Sequence, residues 1–254
     1  MTTTAQKLAN PTRFMALSGA LLPWIAGAAV LVLAYGLYLS FFSAPPDSVQ
    51  GQTVKIMFVH VPSAWLAMGV YLLVAISSFG LLVFRHPLAD VSAKAAVPIG
   101  AAFTFLALVT GALWGRPMWG AYWVWDARLT SVLILFFLYL GLMALRSSLD
   151  DETLAAKLTA ILGLVGVVLL PIIKFSVEWL NTLHQPASVL RSGGLAIHSS
   201  ILTPLLVMAV GFLLAFIAMH LMAMRNEVLR RRAKALTLSH VNRADTGVPA
   251  PAKG

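Results

Sequence analysis

Two histidines and one tryptophan-dense connection are the parts of this chain best suited to chemistry. The connection reads Trp114-Gly-Arg-Pro-Met-Trp119-Gly-Ala-Tyr122-Trp123-Val-Trp125-Asp126-Ala-Arg128-Leu-Thr130 and holds four of the seven tryptophans in seventeen residues. Indoles at a membrane boundary are common anchors. A belt of anchors requires neither this density nor the embedded charges of Arg116, Asp126 and Arg128. The composition suits a large flat ligand, apolar across its face and anionic at an edge. Trp114, Trp119, Tyr122, Trp123 and Trp125 supply rings, and Gly115 and Gly120 allow close approach to the backbone. Arg116 and Arg128 supply planar cations for carboxylates. If Pro117 starts a short helix, Trp119, Trp123 and Asp126 share one of its faces. Asp126 then orients Arg128 or an indole N–H.

His60 and His184 are each followed two residues later by a proline, Pro62 and Pro186. Imidazole is a common ligand of metals and of haem iron. Two neutral imidazoles from opposite sides hold a haem in six-coordinate form. A single histidine at a helix end is more often a hydrogen-bonded or wet polar residue. Two on the same face as the tryptophan segment favour the ligand reading, with His60 capping the start of its helix. His198 is a reserve ligand or a donor to an anionic group, and His220 is the one deep histidine. Lys174 and Glu178, four apart, read as an interfacial pair. With no cysteine, the chain has no disulfide, no thiolate metal site and no C-x-x-C-H haem attachment of its own.

The elements that must position these groups lie in lipid. The chain is 59% hydrophobic and 11% charged, with a mean hydropathy of +0.87. A soluble domain carries roughly twice that charged fraction. Apolar runs fall at 21–42, 60–84, 95–114, 129–145, 158–175 and 199–224. Each is long enough for a membrane-spanning helix at about 1.5 Å per residue. Continuous runs without period-2 alternation select helices over barrels. The expected fold is an all-α membrane protein of six transmembrane helices, with the tryptophan-rich segment between helices 3 and 4. Pro98, Pro171 and Pro204 mark breaks or kinks, and Gly111–Gly115 spacing suits helix packing.

Six spans put both termini on one side. Thirteen of the eighteen Lys and Arg residues lie in the two tails and the second and fourth loops, among them Arg85, Arg146, Arg230, Arg231 and Arg232. Five lie on the other side: Lys55, Arg116, Arg128, Lys174 and Arg191. The excess places both termini in the cytoplasm and the tryptophan segment outside. The net charge of +9 therefore reports topology and lipid attraction, and nucleic acid explains it poorly. Residues 1–224 form the membrane domain, with the tryptophan segment at 114–130. Residues 225–254 form a basic cytoplasmic tail whose last fifteen or so residues carry too little apolar surface to order.

Trp114-Gly115-x-Pro117-x-Trp119-Gly120-x-x-Trp123-x-Trp125-Asp126-x-Arg128-Leu129-Thr130 resembles the WWD signature of haem-handling proteins. The Arg-Leu-Thr ending, six spans and short length resemble the CcmC (HelC) family of bacterial cytochrome c maturation. His60-Val-Pro-Ser-Ala-Trp65 and Phe175-Ser-Val-Glu178-Trp179-Leu-Asn181-Thr-Leu-His184-Gln185 are similar to that family as well. Leu180 departs from it, standing where a second tryptophan is expected. The resemblance implies a protein of the bacterial inner membrane that holds haem b on the periplasmic side. His60 and His184 would be axial ligands, and the tryptophans, Tyr122, Asp126 and Trp179 would contact and present the haem. Arg116, Arg128 and His198 are the candidate partners for its propionates. The implied recipient is the periplasmic haem chaperone CcmE, within a complex containing the ABC-type pair CcmA and CcmB and the small membrane protein CcmD. The chain has no phosphate-binding G-x-x-x-x-G-K-[ST] loop, so ATP hydrolysis would belong to a partner. It reads as a transfer protein more than an enzyme. Two other classes fit less well. A quinone-linked cytochrome b needs histidines deep within spans, and a solute permease needs polar residues through the midplane.

Overall fold

The computed structural model describes residues 10–180, 182–184, 189, 194 and 197–246, with side chains described as far as His240. The expectations for Lys7, Asn181, Gln185, Pro186, Arg191, Lys253 and residues 247–254 lie outside the described residues, as does the side chain of Arg243. Helix α1 spans Pro11–Tyr38 and continues through a π-helical turn, Leu39–Ser43. Helix α2 spans Met57–Phe84 after a 3₁₀ turn at Gln52–Ile56, and α3 spans Pro87–Trp119. Then come α4 (Ala127–Ser147), α5 (Glu152–Val165), a 3₁₀ turn at Gly166–Val168, and α6 (Leu169–Trp179). Helix α7 spans Ser199–Thr246. With α5 and α6 counted as one interrupted span, six helical units among the described residues are long and apolar enough to cross a membrane.

Local chemistry sets the helix ends. Asn10, with Pro11 behind it, caps α1 by accepting the backbone N–H groups of Thr12 and Arg13. Asp151 caps α5 in the same way. Helix α3 starts at Pro87 and ends at Gly120, whose φ of 76° lies in the left-handed region that closes helices. These signals extend the helices beyond the apolar runs. Helix α1 starts ten residues before position 21, and α7 passes Met224 without interruption to Thr246.

Helix α2 lies along α3, and α1 lies along α7. Small residues permit the close approaches. A Cβ on Gly36 or Gly211 would meet Met208 or Leu33 at 2.7 Å across the α1–α7 contact. The central core gathers Val70, Tyr71, Val74, Phe103, Leu135 and Tyr139. There the Tyr139 hydroxyl donates to the Ala67 carbonyl at 2.8 Å, and its ring fills the space that a side chain on Gly100 would take. Gly166 does the same for the Tyr71 hydroxyl. The fifth span is thus interrupted at Gly166–Val168, just ahead of Pro171, where a proline in the first helical turn is tolerated. Pro98 and Pro204 lie inside unbroken helices.

The first turns of α1 and the later part of α7 lie at one end of the bundle, as six spans require: Arg225 donates to the Met15 carbonyl and Arg232 to the Thr12 hydroxyl. That end carries an ion network. Asp90 receives both Nη atoms of Arg146, at 2.6 and 2.9 Å, and also binds Arg231. Glu227 binds Lys94, Arg230 and Arg231. Arg230 and Arg231, counted above only for topology, are tied into the bundle. His220 is also held there, with Nε2 3.2 Å from Ser92 Oγ and its ring stacked on Phe216.

Gly100→Val is expected to displace the Tyr139 ring and cost about 1–3 kcal/mol. Gly141→Ala, where a Cβ meets nothing within 4 Å, is expected to be neutral or mildly stabilising. Unfolding in mixed detergent micelles would show both, and equal stability for the two variants would contradict this packing.

Candidate functional site

The opposite end of the bundle holds the sequence-distant residues of interest around one cavity of about 410 Å³. Its wall is mostly apolar, with a few polar groups, the usual makeup of a small-molecule site. His60, Trp114, Trp119, Trp123, Arg128 and His184 all line it. They come from α2, α3, the connection after α3, α4 and the segment after α6.

His60 is not a helix cap. The 3₁₀ turn and first residues of α2 precede it, so it lies inside the helix with its ring against α3. Its Nδ1 is 3.1 Å from both the Ala107 carbonyl and Thr110 Oγ1. The Thr110 hydroxyl donates its own hydrogen to the Leu106 carbonyl at 2.6 Å. Both groups near Nδ1 therefore act as acceptors, Nδ1 carries the hydrogen, and Nε2 keeps the lone pair. The ring fits because position 111 is glycine: a Cβ there would lie 3.0 Å from His60 Cε1. Gly111 thus serves the α2–α3 contact by making room for an imidazole. Trp114 meets the other side of His60 edge-on, with ring centroids 5.6 Å apart. Its indole N–H donates to Gln50 Oε1 at 2.9 Å. Gln50 is placed by the Asp47 carboxylate, which accepts the backbone N–H groups of Val49 and Gln50.

His184 approaches from the non-helical segment after α6. Its ring lies 5.0 Å, centroid to centroid, from Trp119. Its Nδ1 faces Asp126 Oδ2 at 3.6 Å. Asp126 also caps α4, accepting the Leu129 N–H on Oδ1 at 2.7 Å. Arg128 lines the cavity with its guanidinium held by the Lys174 carbonyl and the Ser176 hydroxyl, at 3.1 and 3.4 Å. Burial and then the Arg128 charge pull the His184 imidazole below its ordinary 6.5, while Asp126 opposes both.

The tryptophan segment differs from the expected surface helix. Helix α3 runs through Pro117 to Trp119, and residues 120–126 are non-helical. Trp119 and Trp123 nonetheless both reach the cavity, through the reversal at Gly120 rather than through helical spacing. Trp125, Tyr122 and Trp179 are exposed and stand outside the lining. Trp125 meets Trp123 edge-on, and Trp179 stacks on Phe175. Arg116 folds back onto the Gly120 carbonyl and over the Tyr122 ring. His198 pairs with Ser200 at the start of α7, exposed and away from the cavity lining. Lys174 does line the cavity. The groups that sequence reasoning missed are Gln50, Thr110 and the Ala107 carbonyl. A backbone carbonyl leaves no residue signature, and Gln50 lies in a polar loop with no motif.

Six apolar spans define a multi-pass membrane protein, and its paired histidines and indoles line one mostly apolar cavity. The family described as heme exporter protein C (CcmC) matches residues 4–239. The chain is 64% identical over 236 residues to the heme exporter protein C of Bradyrhizobium diazoefficiens, covering 93% of this chain and 89% of that one. It is 46% identical over 226 residues to the heme exporter protein C of Escherichia coli K12, covering 89% and 91%. The protein of the same name from Paracoccus denitrificans is 45% identical over 237 residues, covering 93% and 98%. The chain belongs to the heme exporter protein C family.

The folded protein binds a proton at His184 less readily than the unfolded chain does. This contribution to stability is therefore complete above about pH 6.5 and lost as the pH falls below it. His184→Phe is expected to flatten the decline in melting temperature between about pH 7 and pH 5. Parallel declines for the two proteins would contradict a neutral, buried His184.

Proposed function

We propose that this protein binds haem b in the His60–His184 cavity and passes it on during cytochrome c maturation. The observation that carries the reading is the convergence of these two imidazoles, 124 positions apart in the sequence, on one tryptophan-lined apolar cavity. His60 has its Nδ1 committed to acceptors, leaving Nε2 for iron. Among the described residues no group of three or more His, Cys, Asp or Glu is placed to hold a metal ion. A two-histidine set suits an iron whose remaining ligands arrive with a porphyrin. The haem exporter names of the relatives fit that chemistry.

In this reading His60 and His184 are the axial ligands. Trp114, Trp119 and Trp123 cover the apolar macrocycle. Arg128 takes a propionate, with Arg116 and His198 as further partners near the rim. Tyr122, Trp125 and Trp179, beside the buried Asp126, form the exposed margin across which haem is presented. In this reading the margin faces the periplasm from the inner membrane and the ionic end faces the cytoplasm, which the excess of lysine and arginine at the ionic end supports. There the haem passes to the chaperone CcmE, and CcmA, CcmB and CcmD complete the complex. His220, engaged with Ser92 and Phe216 away from the cavity, gives little support to a transmembrane electron-transfer role.

Protein purified without added haem should show a low-spin, six-coordinate absorption spectrum, lost in the His60→Ala/His184→Ala double variant. An unchanged spectrum in the double variant would overturn the assignment. Gly111→Leu should disturb the same spectrum by pushing out His60, though it touches no proposed ligand atom. Trp119→Ala should weaken haem retention about tenfold, the equivalent of ~1.4 kcal/mol and near the lower limit for one buried aromatic contact. Normal retention would return Trp119 to an anchoring role.

A further inference from the structure

The two carboxylate oxygens of Asp126 are employed differently. Oδ1 caps α4 through the Leu129 N–H. Oδ2 is buried, lacks a hydrogen-bond partner among the described residues, and faces an equally buried and unpartnered atom, His184 Nδ1, at 3.6 Å. A buried donor and acceptor left just beyond bonding distance carry an unrecovered desolvation cost, which contact removes. The side able to move is identifiable. Asp126 is fixed by its cap on α4, whereas His184 lies outside any helix and rests on Trp119. His60 is held differently, since the groups at its Nδ1 are a carbonyl and a hydroxyl, both neutral.

We propose that Asp126 is the positioning residue of His184: when His184 binds iron through Nε2, its Nδ1–H closes onto Asp126 Oδ2. The closure fixes tautomer and ring orientation and makes His184 the stronger donor of two unequal ligands. The inference rests on the proposed reading of both histidines as haem ligands. A carboxylate partner gives the imidazole partial imidazolate character. That stabilises ferric over ferrous iron and lowers the reduction potential, an effect which the neutral partners of His60 do not supply. The aspartate of the tryptophan segment thus acts on the iron, in addition to shaping the turn.

The test uses the full chain, haem-loaded in detergent. Asp126→Asn keeps an oxygen able to cap α4 but places a neutral amide opposite His184. The expected result is a retained six-coordinate spectrum with the reduction potential raised by about 59 mV, the one-electron equivalent of a tenfold loss of ferric preference. An unmoved potential in the loaded variant overturns the inference. If Asp126→Asn does not retain haem, His184→Ala loaded with imidazole or with 1-methylimidazole as the replacement ligand gives the second reading, since only imidazole keeps the N–H. Imidazole should give the lower potential, and the difference should collapse in His184→Ala/Asp126→Asn. A difference that persists unchanged without the carboxylate overturns the inference. A wild-type protein lacking the six-coordinate spectrum overturns the proposed function as well. A normal wild-type spectrum with an insensitive potential overturns the positioning role alone.

Discussion

Everything at the tryptophan end depends on holding polar imidazoles inside an apolar bundle. A buried ring nitrogen without a partner is costly, and a ring that tumbles offers no fixed lone pair. At His60 the solution lies in the backbone. The Ala107 carbonyl and the Thr110 hydroxyl of α3 receive its Nδ1 hydrogen, so the α2–α3 contact sets both the tautomer and the direction of Nε2. The contact needs a helix surface with no side chain at position 111. Helix packing and ligand chemistry are therefore the same constraint at this point.

The same economy recurs through the bundle. Gly100 and Gly166 make room for Tyr139 and Tyr71, and these rings lock α2, α3 and α4 together beneath the cavity. The interruption at Gly166–Val168 lets the fifth span restart as α6. Helix α6 presents Lys174 and Ser176 to Arg128 and leads into the segment carrying His184. At the far end Asp90 and Glu227 gather basic side chains of α3, α4 and α7. An ion network at one end and an aromatic, histidine-lined cavity at the other give the bundle two chemically distinct poles.

Much of this was legible in the residues. Continuous apolar runs announced six spans, and the segment dense in indoles proved to supply Trp114, Trp119, Trp123 and Arg128 to the cavity wall. Helix ends were less legible. The capping side chains of Asn10 and Asp151, and Pro87 at the first position of α3, extend helices past the apolar runs, and apolarity alone does not report them. Pro117 looked like a helix start. It lies instead in the last turn of α3, because the stop is supplied by Gly120. Trp119 and Trp123 were rightly grouped, for a reason that periodicity did not contain. Asp126 stood out by its place in the tryptophan segment but not as the neighbour of His184, since that contact joins segments 58 positions apart. Gln50 and the Ala107 carbonyl had no signature at all.

The central claim is that one haem iron lies between His60 and His184. Electron–nuclear double resonance on ferric protein carrying ¹⁵N-labelled histidine tests it most directly, because it counts the histidine nitrogens coupled to the iron. The account predicts two such nitrogens in the wild-type protein and one in each of His60→Ala and His184→Ala. Two coupled histidine nitrogens surviving in either variant would contradict it.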